Sequence, residues 1–243
     1  MGEHTIREVL KRRSSATQRE LQKRREQVIR GKRSRAPLLV LLVIVLAIAG
    51  TAVYVNMLVS KISDRFTADQ VQHSAYPIDN INLQSATAFL PNTLLAVTDP
   101  DFYDAGTTTV SPVTRRLVRL YFPDASDLAI RVMATAAQFK FTRTDILETY
   151  INDVHLGTDG GKPIIGFIDA SQNYFHKSFA QLQPQEIALL VALIPDPQQN
   201  DPRRFPGKAL ASRNEVLQAD VQQTVLSQDQ GDVLSKMPLG VVP

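Results

Sequence analysis

The longest uncharged stretch of the chain runs from Pro37 to Ser60, and most of its residues are apolar. Its part from Leu38 to Val59 has about 22 residues, which as a helix would span about 33 Å and cover a bilayer core. A buried helix of a soluble domain rarely runs this long without a polar face. A cleaved signal peptide is disfavoured because about 36 residues precede the stretch. The pattern predicts an uncleaved transmembrane signal anchor at 37–60.

A connector of mixed polarity is predicted at 61–87, and beyond it apolar residues recur at helical spacing. Ser111 followed by Pro112 is typical of a capped helix start with proline at the first position. A second helix start is indicated at Thr142 or Thr144, since a threonine can cap the first turn.

The remaining pattern favours helices over strands. The run TDGGKP at 158–163 is interpreted as a glycine-rich loop, and no convincing strand pattern is found. Gly157 fits the residue that follows a helix end. The apolar run at 187–194 is too short to cross a bilayer and predicts a core helix. We therefore expect a mainly α fold, with one transmembrane helix and a helical domain at 88–243.

The charge is divided unequally along the chain. Residues 1–36 hold 12 Lys and Arg against 4 Asp and Glu, whereas the rest holds 15 against 20. A basic flank before an apolar span stays in the cytoplasm, so 1–36 is predicted to be a cytoplasmic tail and the main domain extracytoplasmic. The tail lacks aromatic residues for base stacking, so its predicted partner is the membrane and not nucleic acid.

Several kinds of site are excluded or disfavoured by the composition. The chain has no cysteine, so it has neither disulfides nor thiolate metal ligands. No Ser-x-x-Lys motif occurs, which excludes a transpeptidase or β-lactamase-like site. His155 and His176 lack the spacing of metal ligands, and we expect no metal site.

The stretch LLAVTDPDFYDAG at 94–106 carries Asp99, Asp101 and Asp104 after a helical apolar pattern. Closely spaced carboxylates are the groups that acid/base chemistry uses, and two of them could cleave a glycan. The alternative is a solvated loop that ends a helix. The residue pattern by itself leaves these interpretations open.

Three stretches resemble glycosyltransferase family 51, the peptidoglycan polymerase domain of class A penicillin-binding proteins and monofunctional transglycosylases. They are TRTDILETYINDVHLG at 142–157, the run from Asn173 to Pro206, and ALASRNEVL at 209–217, and the ending MPLGVVP is similar to the b-type proteins. The resemblance covers about 88–243 and implies a lysozyme-like helical fold with one N-terminal signal anchor. The matching positions are Ile146, Leu147, Glu148, Tyr150, Asn152, Gly157, Tyr174, Phe175, Lys177, Leu182, Glu186, Ala188, Leu189, Leu190, Asp201, Pro202, Arg213 and Asn214.

The resemblance implies a reaction that joins lipid-linked disaccharides, and a catalytic Glu of the family deprotonates the acceptor hydroxyl. That Glu begins a Glu-Asp-x-x-Phe-Tyr-x-His motif, which falls on 98–105 and matches at Asp99, Phe102 and Tyr103. Thr98 stands at the Glu position and Ala105 at the His position. A threonine hydroxyl is too weak an acid to serve as the general base.

A second family motif, Arg-Lys-x-x-Glu, falls on 126–130 and retains none of its three functional residues. Ile130 replaces its carboxylate. The family's Gln-Gln pair is replaced by Arg115 and Arg116, and Arg119 follows one helical turn after Arg115. These three arginines are candidates for binding a lipid diphosphate, and a solvated or headgroup-facing surface is the alternative.

The leading hypothesis from the sequence is a membrane-anchored transglycosylase-like protein of the bacterial inner membrane that has lost polymerase activity. It would act as a binding or regulatory partner in cell-wall synthesis, with lipid II, glycan strands or other synthesis proteins as partners. The alternatives are an active divergent polymerase using Asp99 or Asp101, and a glycan- or lipid-binding module. No cofactor is expected, apart from a divalent cation if the protein is active.

Overall fold

The structure is a computed structural model that describes residues 18–24, 36–75, 81–83, 88–104 and 109–242. Most of the predicted basic tail at 1–36 lies outside these residues, as do Ala105 and parts of the predicted connector. The chain divides into two compact units, Met1–Tyr54 and Val55–Pro243. Each unit is considered by itself below.

The first long helix, α1, runs over Ala36–Ala75. Within it, Pro37–Thr67 is long and apolar enough to cross a membrane, and its most apolar window is fully exposed. In length and composition, this part of α1 agrees with the transmembrane helix predicted at 37–60. The helix continues past Ser60, so the first part of the predicted connector is helical.

The second unit contains the C-terminal part of α1, a set of shorter helices and one two-stranded hairpin, which confirms the mainly α fold. The elements are α2 (Phe89–Thr98), α3 (Pro112–Tyr121), α4 (Asp127–Lys140), α5 (Arg143–Asp153), β1 (His155–Asp159), β2 (Lys162–Ile165), α6 (Gly166–Phe175), a 3₁₀ turn (Phe179–Gln181), α7 (Pro184–Leu193), α8 (Pro206–Gln222) and α9 (Gln228–Ser235).

Local capping residues start the helices that the sequence predicts. The Ser111 hydroxyl accepts a hydrogen bond from the Thr114 amide, with Pro112 at the first helical position of α3. Thr142 caps α5 in a reciprocal capping box with Asp145. Each cap satisfies amides that the first helical turn leaves without partners.

The prediction that strands are absent is wrong, because β1 and β2 form an antiparallel hairpin. Its turn is Gly160 and Gly161, with φ of 54° and 82°. A two-residue hairpin turn of type I′ needs positive φ at both positions, and glycine adopts it without steric cost. The Gly-Gly pair was therefore the available signal, although Pro163 made β2 look unlike a strand.

The assignment of Gly157 as the residue after a helix end is also wrong. Helix α5 ends at Asp153, and Gly157 lies within β1. A Cβ atom at position 157 would lie 2.1 Å from the Tyr174 hydroxyl oxygen. Glycine is required here because the tyrosine packs against the strand backbone.

Helix α7 lies at the centre of the main hydrophobic core. Every residue from Ile187 to Leu193 is buried, which confirms that this run is a core helix. Pro184 begins the helix, and the buried Glu186 accepts a hydrogen bond from the Gln183 amide at 2.8 Å. The strongly apolar helix is thus surrounded by the other helices of the unit.

A smaller hydrophobic cluster joins the outer end of α1 to α3 and α4. Leu58 and Ile62 are buried there beside Met133. The rings of Phe66 and Phe141 are stacked nearby with centroids 3.9 Å apart. Residues of α1 beyond Tyr54 therefore belong to the packed unit.

Helix α6 ends with a strained residue, which leads to a testable prediction. His176 has φ 54° and ψ 34°, a left-handed conformation that glycine adopts more readily than histidine does. A left-handed conformation costs about 1–2 kcal/mol for a non-glycine residue, and the flexibility of glycine in the unfolded chain offsets part of that. His176→Gly should therefore stabilise the unit by about 0.5–1 kcal/mol. Urea unfolding followed by circular dichroism measures this, and a less stable variant would contradict it.

Candidate functional site

Thr98, the residue that the family resemblance aligns with the catalytic Glu, is the last residue of α2. Its hydroxyl donates a hydrogen bond to the Leu94 carbonyl oxygen at 2.6 Å. This is a local bond to the preceding helical turn, a common arrangement for a threonine inside a helix. The side chain is thus directed to its own helix.

Asp99 follows directly and is buried, with 6% of its surface exposed. One carboxylate oxygen accepts a hydrogen bond from the Ser111 hydroxyl at 2.5 Å. The same hydroxyl accepts from the Thr114 amide at 3.2 Å. Asp99 therefore connects the end of α2 to the capped start of α3, while Asp101 and Asp104 are exposed.

Asp99→Ala is expected to destabilise the unit by about 1–3 kcal/mol, because it leaves the buried Ser111 hydroxyl without its acceptor and weakens the α3 cap. The exposed Asp101→Ala serves as the matched control, with a change below about 0.5 kcal/mol. Urea unfolding of the full chain in detergent compares them. Equal stability of the two variants would show that the Asp99 contact contributes nothing.

The aromatic residues of the degenerate motif help to hold this turn. Phe102 is buried, and the Arg143 guanidinium lies over its ring at 5.4 Å from the centroid. Arg143 also donates a hydrogen bond to the Phe102 carbonyl oxygen. Tyr103 packs edge-on against Phe102 but remains half exposed. The matching positions of this motif thus retain a structural role.

Ile130, at the position of the second family carboxylate, is 3% exposed and lies on α4 in the smaller hydrophobic cluster. A charged group in this environment would need a partner, since burial of an unpaired charge is costly. The side chains beside Ile130 in the cluster include Val118, Met133 and Ala134. An apolar residue fits this position without such a partner.

The three predicted arginines lie together along one cleft between α3 and α4. The cleft has a volume of about 330 Å³, and its lining residues are Pro112, Arg115, Arg116, Arg119, Asp127, Ile130 and Arg131. The motif alignment did not point to Arg131. Arg131 joins the other arginines in the cleft because α4 packs beside α3. Motif spacing does not reveal that packing.

These arginines are not equivalent. Arg119 pairs with Asp127 at 2.5 Å and also donates to the Ala125 carbonyl oxygen at 2.8 Å. Arg115, Arg116 and Arg131 are exposed. The cleft is therefore positively charged, and its exposed cations are the groups suited to a diphosphate or another anion.

Tyr150 lies close enough to Arg116 for the two to interact. Burial raises the pKa of Tyr150 to about 12, and the positive charge of Arg116 partly opposes this rise. The phenol is consequently neutral at physiological pH. We assign Tyr150, a matching position of the family, to the core and not to acid/base chemistry.

Glu148 and Asn152, also matching positions, hold a segment of the backbone. The Asn152 side chain accepts from the Ile81 amide at 2.8 Å and donates to the Ile81 carbonyl oxygen at 3.0 Å. Glu148 accepts from the Leu83 amide at 3.2 Å. These polar residues of α5 therefore attach residues 81–83 to the domain.

Other matching positions form structural contacts in the second half of the domain. Lys177 pairs with the buried Glu186 at 2.6 Å. The Tyr174 hydroxyl donates to the Leu156 carbonyl oxygen at 3.1 Å, and Arg213 is fully buried. The positions that match the family thus maintain the fold, whereas the positions of its two carboxylates do not carry acids.

Comparison with known proteins finds similar proteins among the penicillin-binding proteins. The family model described as Transglycosylase matches residues 110–221. Penicillin-binding protein 1B of Haemophilus influenzae is 31% identical over 186 residues, covering 66% of this chain and 24% of that protein. Penicillin-binding protein 1B of Escherichia coli is 34% identical over 179 residues, covering 63% and 21%. The chain thus spans about a quarter or less of these relatives.

A crystal structure of penicillin-binding protein 1A from Haemophilus influenzae is also similar to this chain. It aligns with a TM-score of 0.46 at 21% sequence identity. The alignment covers 67% of this chain and 18% of that structure.

Proposed function

We propose that this protein is a membrane-anchored relative of the peptidoglycan polymerases without polymerase activity, since residues 110–221 match the transglycosylase model and penicillin-binding proteins 1B of two bacteria are similar to the chain. It acts as a binding or regulatory partner in cell-wall synthesis. Helix α1 anchors it in the bacterial inner membrane by a single span, with the helical domain on the extracytoplasmic side.

One observation carries the proposal, namely the state of the two positions where the family has carboxylates. The Thr98 hydroxyl is bonded to its own helix, and Ile130 is buried among apolar side chains. Neither group accepts a proton from a sugar hydroxyl at neutral pH. The adjacent acid Asp99 is buried and bonded to Ser111, which orients it toward the helix cap.

The family usually employs a divalent cation, and the residues of the arginine cleft do not fit one. Among the described residues that line the cleft, Asp127 is the sole carboxylate, and it is paired with Arg119. Divalent cations such as Mg²⁺ prefer several oxygen ligands, whereas four arginines would repel the ion. The four arginine side chains of the cleft favour an anionic ligand instead of a metal cation.

The decisive experiment is a polymerisation assay with the full chain in detergent, supplied with lipid II and a divalent cation. We expect no glycan polymer beyond a protein-free control, while an active family 51 enzyme in the same buffer produces it. Polymer from this chain would overturn the proposal. Its loss in an Asp99→Asn or Asp101→Asn variant that unfolds at the same urea concentration as wild type would then identify the relocated acid of a divergent enzyme.

The arginine cleft favours lipid II as the ligand of the binding role, since arginine forks match phosphate oxygens. We expect full-length protein to bind lipid II, with Arg115→Ala and Arg131→Ala each weakening binding about 5- to 10-fold. Arg204→Ala is the matched control, because Arg204 is exposed and lies outside the cleft. Unchanged affinity in both cleft variants would dismiss the cleft and leave a purely protein-binding role.

A further inference from the structure

The carboxylate of the arginine cleft lies at the first position of α4. Asp127 follows the capping residue Ser126, whose hydroxyl accepts a hydrogen bond from the Ala129 amide. A carboxylate in the first turn of a helix interacts favourably with the positive end of the helix dipole. This local preference explains why an acid stands at position 127, but it does not explain why the side chain pairs with an arginine of another helix.

That arginine is Arg119 on α3, and both of its terminal nitrogens have an acceptor within the protein. Nη2 lies 2.5 Å from Oδ1 of Asp127, and Nη1 donates a hydrogen bond to the Ala125 carbonyl oxygen at 2.8 Å. A phosphate group binds a guanidinium through two such parallel hydrogen bonds. The Asp127 carboxylate and the Ala125 carbonyl therefore use the donors of Arg119 that a phosphate ligand needs.

The other three arginines of the cleft differ from Arg119. Arg115 and Arg116 on α3 and Arg131 on α4 are exposed, and Arg131 lies one helical turn after Asp127. Within the described residues, none of these three forms an ion pair. The cleft thus has an open part with three exposed cations and a closed part, in which Arg119 already carries an internal anion.

The ion pair of the closed part is weak enough for a ligand to displace it. The Asp127 side chain is 89% exposed and the Arg119 side chain 42% exposed, so water screens their attraction. A phosphate group carries more negative charge than a carboxylate does. It can therefore compete for Arg119, but its binding is weakened by the cost of releasing Asp127.

We propose that Asp127 is a specificity-determining residue of the arginine cleft, because it takes the place of a second phosphate group on Arg119. The open arginines bind one phosphate group of an anionic ligand, and a second phosphate group reaches Arg119 only by displacing the carboxylate. A lipid diphosphate is then bound mainly through one of its two phosphate groups. This inference rests on the anion-binding role proposed for the cleft above.

The test is a phosphorus NMR titration of inorganic phosphate and of pyrophosphate with the full chain in detergent, at low ionic strength and without metal ions. Asp127→Asn should raise the affinity for pyrophosphate about 2- to 5-fold and that for phosphate less than about 2-fold. Arg119→Ala should weaken pyrophosphate binding less than about 2-fold in the wild-type background, but about 2- to 5-fold in the Asp127→Asn background.

Asp229→Asn is the matched control, because Asp229 is also an exposed acid in the first turn of a capped helix and lies outside the cleft. Its affinities for both anions should equal those of wild type. An equal effect of Arg119→Ala in the two backgrounds would overturn the role of Asp127 and leave the cleft as an anion site. Absence of saturable pyrophosphate binding in every variant would overturn both.

Discussion

Arg213→Ala is expected to lower the free energy of unfolding of the second unit, Val55–Pro243, by about 3–5 kcal/mol. The Arg213 side chain is fully buried. Its guanidinium donates to the carbonyl oxygens of Met237 at 2.8 Å, Ser235 at 2.9 Å and Pro238 at 3.2 Å. It also donates to the Asn214 side chain at 2.8 Å. Alanine would leave these acceptors without donors and a cavity in place of the side chain.

The contacts of Arg213 explain why only arginine satisfies this position. Burial lowers the pKa of Arg213, but the guanidinium remains charged because its ordinary value is so high. Its planar donors reach several carbonyl oxygens at once, whereas a lysine ammonium cannot match that fork. Arg213→Lys should therefore recover only part of the lost stability.

Urea unfolding followed by circular dichroism measures the effect, since the chain has no tryptophan for fluorescence. Limited trypsin digestion supplies a local readout, because Lys236 lies in the segment that Arg213 holds. We expect faster cleavage after Lys236 in Arg213→Ala. Arg204→Ala, at an exposed position, is the control. A loss of unfolding free energy below about 1 kcal/mol in Arg213→Ala would contradict the structural role of Arg213.

The second large effect is a fall in stability as the pH rises, caused by Asp220. This residue of α8 is fully buried and accepts a hydrogen bond from the Thr93 hydroxyl at 3.0 Å. Its other carboxylate oxygen has no partner among the described residues. Burial raises the pKa of Asp220 from 3.8 to about 7, although the Thr93 hydrogen bond partly opposes the rise.

The direction of the pH effect follows from the raised pKa. The folded state holds the proton on Asp220 more tightly than the unfolded state does. The stability from this group is therefore complete below about pH 4 and is lost as the pH rises to about 7 and beyond. Between pH 5 and 8 we expect a loss on the order of 2–3 kcal/mol.

Asp220→Asn should remove this dependence, because an amide does not ionise. The variant should lose less stability than wild type between pH 5 and 8 and should be the more stable protein at pH 8. Asp124→Asn, at an exposed position, controls for the general change in charge. Parallel curves for wild type and Asp220→Asn would show that Asp220 is not the titrating group.

Features determined by nearby residues were predictable from the sequence. The apolar stretch at 37–60, the caps at Ser111 and Thr142 and the core helix after Pro184 all depend on contacts within a few residues. The assignment of Thr98 and Ile130 to the positions of the family's carboxylates also rests on local motifs, and it stays a prediction. The hairpin was missed because its local signal, the Gly-Gly turn, joins strands of only five and four residues.

What the sequence by itself determined is therefore the apolar helix long enough to span a membrane and most of the other helices. Only the tertiary structure decided what the remaining polar residues do. Asp99 bonds to Ser111 and Asp220 to Thr93, and Arg213 holds carbonyl groups more than twenty residues away. The physical reason is that a buried polar group takes its role from whichever partner packing brings to it. That partner is set by how the helices pack, which local spacing does not encode.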